Sequence, residues 1–175
     1  MSGENKLLEH YLSRAEKGDA RYQFNLGLWF HSGQVVKQDL EQAFLWFSRA
    51  AESGHLGARY MLATLLLTGQ GAEKNVEQAL FWLEQGAKNN HAPSLYNLGL
   101  LHQNGEEMPI DLSQARAYME KAAQLKYPEA QYAFGLMHAE GRGTERDLEK
   151  ARYWISQAAN HGLDKARQWL EAEPE

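Results

Sequence analysis

The sequence predicts an all-α fold, a right-handed α-α superhelix (solenoid) of stacked helix-turn-helix repeats. Three observations carry that expectation: an ungapped 36-residue repeat, a helix-capping signal at the same phase of every copy, and only four prolines in 175 residues. Trp46 and Trp82 stand 36 residues apart, and Tyr118 and Trp154 continue their column. The same offset links Gly33, Gly69, Gly105 and Gly141, then Ala43, Ala79, Ala115 and Ala151, then Ala51, Ala87, Ala123 and Ala159. A further column runs Leu26, Leu62, Leu98, Phe134 and Leu170. Several independent columns in one register mark a repeat architecture, in which each unit buries its apolar face only by stacking on the next.

The chain opens with a stretch, Lys6 to Lys17, that resembles an isolated second helix, with Leu7, Tyr11 and Ala15 in the Ala43, Phe47 and Ala51 columns. Each full unit then contains two helices. The first, illustrated by Ala20 to Ser32, sets Tyr22, Leu26, Trp29, Phe30 and Gly33 on one stripe at helical spacing. A short loop follows, such as Gly69-Gln-Gly-Ala72 or Gly141-Arg-Gly-Thr144, whose glycines permit a left-handed turn out of the helix. The second helix opens on Asp39, Asn75, Asp111 or Asp147, each able to accept from unpaired backbone amides, with Gln or Lys three positions on. It ends near Gly54, Asn90, Lys126 or Gly162. Small residues at Gly27, Ala63, Gly99 and Gly135 mark where helices approach closely, and the Trp46 column is expected to fill space between neighbouring hairpins.

One solenoid domain over 1–175 is therefore expected. Its parts are an N-terminal capping helix at 1–17, units at 18–53, 54–89, 90–125 and 126–162, and a C-terminal capping helix with an acidic tail at 163–175. In that last segment Ala166 and Leu170 stay in register, whereas Trp169 replaces Asn25, Met61, Asn97 and Ala133 of its column. The ring either folds back as part of the cap or presents an apolar patch.

Composition narrows the function. Eighteen Lys and Arg against 23 Asp and Glu give a net charge of −5 without a basic run, which argues against a nucleic-acid backbone as partner. The absence of cysteine removes disulfides, thiolate metal sites and cysteine nucleophiles. Neither a signal-peptide apolar core nor a stretch apolar enough to span a bilayer is legible, so membrane insertion is not expected and the cytoplasm is the default location. The seven histidines form no tight ligand pair, so no metal or other cofactor is expected. His102 and His138, one period apart, read as packed rings. Gly69-Gln-Gly71 and Gly141-Arg-Gly143 lack the strand before and the G-K-[ST] ending of a phosphate loop, and read as turns. No catalytic constellation stands out, and the chain is not expected to be an enzyme.

The columns resemble the Sel-one-like repeat (SLR), a relative of the tetratricopeptide repeat. The fourth unit carries the pattern best, as Ala130, Phe134-Gly135, Gly141-Arg-Gly143, Asp147, Ala151, Trp154, Ala158-Ala159 and Gly162. Departures are His102 and His138 at an aromatic position, Gly86 for an alanine, and a third loop, Gly105-Glu-Glu-Met-Pro109, without its second glycine. The resemblance implies a non-catalytic adaptor or scaffold, often in bacterial signalling, envelope or host-interaction settings. A cysteine-rich branch is linked to β-lactam binding, but this chain has none of that branch's cysteines.

In a tetratricopeptide-like solenoid the first-helix face opposite the buried stripe lines a concave groove. At about 100° per residue that face carries Phe24, Leu28 and His31, then Tyr60, Thr64 and Leu67, then Tyr96, Leu100 and Gln103, then Tyr132 and Leu136. Its expected occupant is a peptide or helix of a protein partner, with the chain itself a monomer or weak dimer. The aromatic column Phe24, Tyr60, Tyr96 and Tyr132 admits two readings, a recognition ladder or a packed seam between first helices. The functional alternatives are a small-molecule or glycan-binding protein with hydrolase-like activity, and a dedicated regulator of one enzyme.

Overall fold

The structure, a computed structural model, describes residues 3–172, with side chains described for 6–172. Ten α-helices and no strands occur among the described residues. They are α1 (Gly3–Glu16), α2 (Ala20–Ser32), α3 (Leu40–Glu52), α4 (Leu56–Thr68), α5 (Val76–Lys88), α6 (Ala92–Asn104), α7 (Leu112–Gln124), α8 (Pro128–Glu140), α9 (Leu148–Asn160) and α10 (Asp164–Ala172). This is the all-α helix-hairpin repeat class. The contacts divide the chain into two compact units, Met1–Gly86 and Ala87–Glu175. In the first, α1 packs on α2, α2 on α3, and α3 on α4; in the second, α6 to α10 each pack on the next in chain order. The last three residues of the expected acidic tail, 173–175, lie outside the described residues.

The caps that start the second helices are present as read. Asp39, Asn75, Asp111 and Asp147 each accept from the amide three residues on, at 2.9–3.0 Å. Each loop also closes with one recurring bond: the amide of that capping residue donates to the carbonyl of Phe30, Leu66, His102 or His138, at 2.9 Å in every copy. The loop therefore has the same span in all four repeats, including the third. Loops two and four place a second left-handed residue, Gly71 and Gly143, and add a bond from the following helix-end amide, Gln70 to Leu65 and Arg142 to Met137. Val35 and Glu107, which stand at the equivalent places, are not left-handed, so the loss of that glycine in the third loop changes the turn without opening it.

The second helices end in a left-handed residue at Gly54, Asn90, Lys126 and Gly162. Asn90 and Lys126 hold φ of 56° and 63°, a region that costs a residue with a Cβ about 1–2 kcal/mol.

The core runs along the hairpin seams. Leu26, Leu62, Leu98 and Phe134 are sealed from solvent, beside the small column Gly27, Ala63 and Gly99, Gly135. Opposite it stand Phe47, Leu83, Met119 and Ile155. A Cβ on Gly27 would lie 2.5 Å from the Phe47 ring, and one on Gly135 would lie 2.6 Å from Ile155 and 3.0 Å from the Ala151 carbonyl. The buried arc of the first helix is centred on Leu26 and Gly27; Tyr22 and Trp29, expected on that stripe, are half-buried at its margin. In the Trp46 column, Trp154 lies edge-on to Phe134 and Tyr118 stacks with His102 inside their own hairpins, whereas Trp46 clusters with Ala15 of α1 and Trp82 borders a cleft with α3.

Both end helices act as covers. In α1, Ala15 is buried and Tyr11 packs against Tyr22 and Trp29, while Leu7 is exposed. In α10, Ala166 is buried, and Trp169 folds onto the cluster of Ile155, Ala158 and Ala159 together with Leu163 and Leu170.

A buried polar strap escaped the sequence reading. Gln23 and Gln131 donate from their amide nitrogens to Ala15 and Ala123, and Arg59 donates to Ala51; each acceptor lies eight residues upstream. The Gln23 oxygen accepts from Ser53, and the Gln131 oxygen accepts from His161 Nδ1 at 2.9 Å. A first helix thus ties together the C-terminal ends of the second helices before and after it, giving each of these carbonyls a second donor beside the backbone amide three residues on. Leu95, fully buried, takes the same place in the third repeat.

Candidate partner-binding face

The eleven residues of the expected face, Phe24, Leu28, His31, Tyr60, Thr64, Leu67, Tyr96, Leu100, Gln103, Tyr132 and Leu136, share one property. All are half-buried, neither sealed in the core nor standing free. The aromatic column explains why. Phe24 stacks on His55, with ring centroids 4.2 Å apart, and lies against Phe47. Tyr96 meets Tyr127 edge-on at 5.5 Å. Tyr132 carries the Lys165 ammonium over its ring at 4.9 Å and, like Leu136, packs against the Trp169 cluster. Each of these three rings packs on the first residues of the next first helix and stays partly exposed.

His55 is explained by the same geometry. It is the N-cap of α4, and its Nδ1 accepts from the Ala58 amide at 3.2 Å. Burial pushes its pKa below the ordinary histidine value. His91, the N-cap residue of α6, instead bonds through Nδ1 to the Ser94 hydroxyl at 2.9 Å. His138 is 7% exposed and edge-on to Phe134. Burial, followed by the charge of Lys150, holds its pKa down against the opposing pull of Asp147. No cluster of three or more potential metal ligands occurs among the described residues.

In the second unit the expected face has a small recess of about 80 Å³, walled by Leu100, Gln103, Leu136, Glu140 and Arg142. Arg142 pairs with Glu140 at 3.6 Å, and with the Gln103 amide turned over, its oxygen accepts from the same guanidinium. The first unit has a larger cleft of about 300 Å³ on the other side of the hairpins, against α3 and α5. Phe44, Phe81 and Trp82 wall it, and Phe81 is 51% exposed. Leu45, Phe81 and Tyr153, at one 36-residue phase whose remaining member is Ala117, are each exposed. The period alone marks those positions.

Comparison with known proteins decides the family. The Sel1 repeat model matches residues 20–55, 57–91, 92–127 and 128–163. The chain belongs to the Sel1 repeat family. Sel1 repeats are typically protein–protein interaction modules. Among solved structures, the chain is similar to an SLR-fold protective antigen of uropathogenic Escherichia coli, at 32% identity and a TM-score of 0.87. That alignment covers 93% of this chain and 35% of the other. A Sel1 repeat protein of Oxalobacter formigenes also has 32% identity, with a TM-score of 0.83 over 97% of this chain and 49% of that one. The chain thus spans about a third and about half the length of these two relatives. The cysteine-rich protein B of Helicobacter pylori shares the fold, at 23% identity and a TM-score of 0.60 over 78% of this chain and 98% of that one. No match was found among curated protein sequences. No helix among the described residues is long and apolar enough to cross a membrane.

Proposed function

We propose that this Sel1 repeat chain is a non-catalytic protein-binding module whose first-helix faces receive a peptide or a helix of a partner protein. One observation carries the reading: eleven side chains, four of them aromatic rings in one column, stay half-open after the repeats have packed. Rings already held by His55, Tyr127 and Lys165 lose little freedom when a partner covers them, which is what makes aromatic positions effective anchors. Gln103 and the Glu140–Arg142 pair add a polar rim in the second unit. A recess of about 80 Å³ is well below the ~300–1,000 Å³ of small-molecule pockets, so this face favours a macromolecular partner over a small ligand. The net charge of −5 favours a protein over a nucleic acid, and we place the module in the cytoplasm as a monomer or weak dimer.

The test is affinity capture from source-cell extract, with wild type and the Tyr60→Ala/Tyr96→Ala double variant compared by mass spectrometry. Loss of one specific partner from the variant is the expected outcome. Equal recovery by both proteins overturns the assignment of this face.

A further inference from the structure

The cleft between α3 and α5, with Leu62 and Leu66 of α4 also lining it, includes none of the residues of the face described above. Its walls are aromatic: Phe44 on one side, Phe81 and Trp82 on the other, with the last two edge-on at 5.0 Å. Its polar groups are Ser48, Gln78 and the carboxylate of Glu52, and no Lys or Arg lines it. The two helices that frame it carry Glu41, Glu52, Glu77 and Glu84 against Arg49 and Lys88. Aromatic faces with a carboxylate at the rim attract a cation, because the negative ring faces and the carboxylate act together.

The repeat supplies two internal comparisons. Two periods further on, the positions of Phe44 and Ser48 are held by Arg116 and Glu120, paired at 3.3 Å, and those of Phe81 and Trp82 by Tyr153 and Trp154. There a guanidinium of the chain's own stands at the position of Phe44. One period back from Trp82, Trp46 has the Arg49 guanidinium over its ring at 4.7 Å; the counterpart of Arg49 beside Trp82 is Gln85, which carries no charge. The equivalent positions of the α7–α9 pair and the first tryptophan thus each have a guanidinium from their own chain. The α3–α5 cleft has rings and a carboxylate but no such group.

We propose that this cleft is a docking site for an arginine side chain presented by a partner protein. The guanidinium stacks on Phe81 and Trp82, where a planar, weakly hydrated cation is favoured over an ammonium. Glu52 accepts its hydrogen bonds, and the exposed Leu45 and Phe81 cover the residues flanking the arginine.

The experiment is an amide and indole NMR titration of the full chain with N-acetyl-argininamide, with N-acetyl-citrullinamide as the uncharged control. Saturable shifts are expected at the Trp82 indole and at amides 48–52 and 78–82, with citrullinamide at least about 10-fold weaker. Phe81→Ala and Glu52→Gln, both at exposed positions, should each weaken binding about 3-fold or more with the circular dichroism spectrum unchanged. Phe44→Arg/Ser48→Glu, which copies the Arg116–Glu120 pair, should abolish it. The tripeptide N-acetyl-Leu-Arg-Leu-amide should bind about 3-fold or more tighter than argininamide, since apolar flanks add buried area. Absent saturation, equal shifts with citrullinamide, or unchanged binding in the Phe81 and Glu52 variants each overturn the site. Equal affinity for tripeptide and argininamide overturns the protein-borne arginine.

Discussion

Gly69 and Gly71 offer a matched pair of substitutions in one loop. Both are left-handed, with φ of 70° and 74°, so alanine at either meets the same backbone strain of about 1–2 kcal/mol. Reduced freedom of the unfolded chain offsets about 0.4–1 kcal/mol of that at both sites. Surroundings separate them. A Cβ on Gly69 meets nothing closer than Lys74 at 3.6 Å, an ordinary contact. A Cβ on Gly71 falls onto the Leu40 carbonyl, 2.5 Å from its carbon and 3.1 Å from the Glu41 amide. That carbonyl belongs to the first turn of α3 and cannot swing aside as a side chain would, so overpacking of about 1–3 kcal/mol is added at Gly71 alone. Gly69→Ala should therefore cost about 1 kcal/mol and Gly71→Ala about 3 kcal/mol. At about 2–4 °C per kcal/mol, melting points should drop by roughly 2–4 °C and 6–12 °C. Urea and thermal unfolding followed by far-UV circular dichroism measure both, and midpoints are the quantity to compare because repeat arrays need not unfold in two states. Gly141→Ala and Gly143→Ala repeat the test, with contacts of 3.5 Å to Arg146 and 2.6 Å to the Leu112 carbonyl. Equal losses within each pair would refute the claim that the second loop glycine is required by backbone approach.

Other expectations can be measured with the same proteins. Lys126→Gly should raise stability by roughly 0.5–1 kcal/mol, because it removes left-handed strain in excess of the entropy lost; a lower urea midpoint would contradict this. Asp39→Ala should cost about 1 kcal/mol through loss of the bond to the Gln42 amide, read from the urea midpoint. Gln131→Leu should cost about 0.5–1.5 kcal/mol, since it removes the bonds to the Ala123 carbonyl and His161 Nδ1, even though Leu95 shows that leucine fits the site. The folded-state pKa values of His55 and His138 lie below 6.5, so the unfolded chain binds more protons between those values and 6.5. Stability should be full above about pH 6.5 and fall as pH drops below it. His55→Asn keeps a capping oxygen without a titrating group, and a melting-point profile over pH 5–8 should be flatter for it than for wild type.

Much of the chain's organisation is legible without coordinates. The 36-residue period, the Asp or Asn caps and the glycine and asparagine helix ends are local signals, set by backbone hydrogen bonding and by the narrow range of residues that tolerate left-handed φ. They mark the helices to within a residue or two, and they locate the first-helix face, because side-chain direction follows from helical geometry. Other features depend on which helices touch. Gln23, Arg59 and Gln131 look like ordinary polar helix residues until the carbonyls of Ala15, Ala51 and Ala123 are found beside them. His55 resembles any histidine until its Nδ1 meets the first turn of α4. The same holds for the aromatic column. Periodicity lines up Phe24, Tyr60, Tyr96 and Tyr132, but only packing leaves each of them half-open, and only packing forms a cleft around Phe81 and Trp82 that no single helix contains. Local geometry repeats because the backbone repeats, whereas burial and site chemistry depend on neighbours that differ from one repeat to the next.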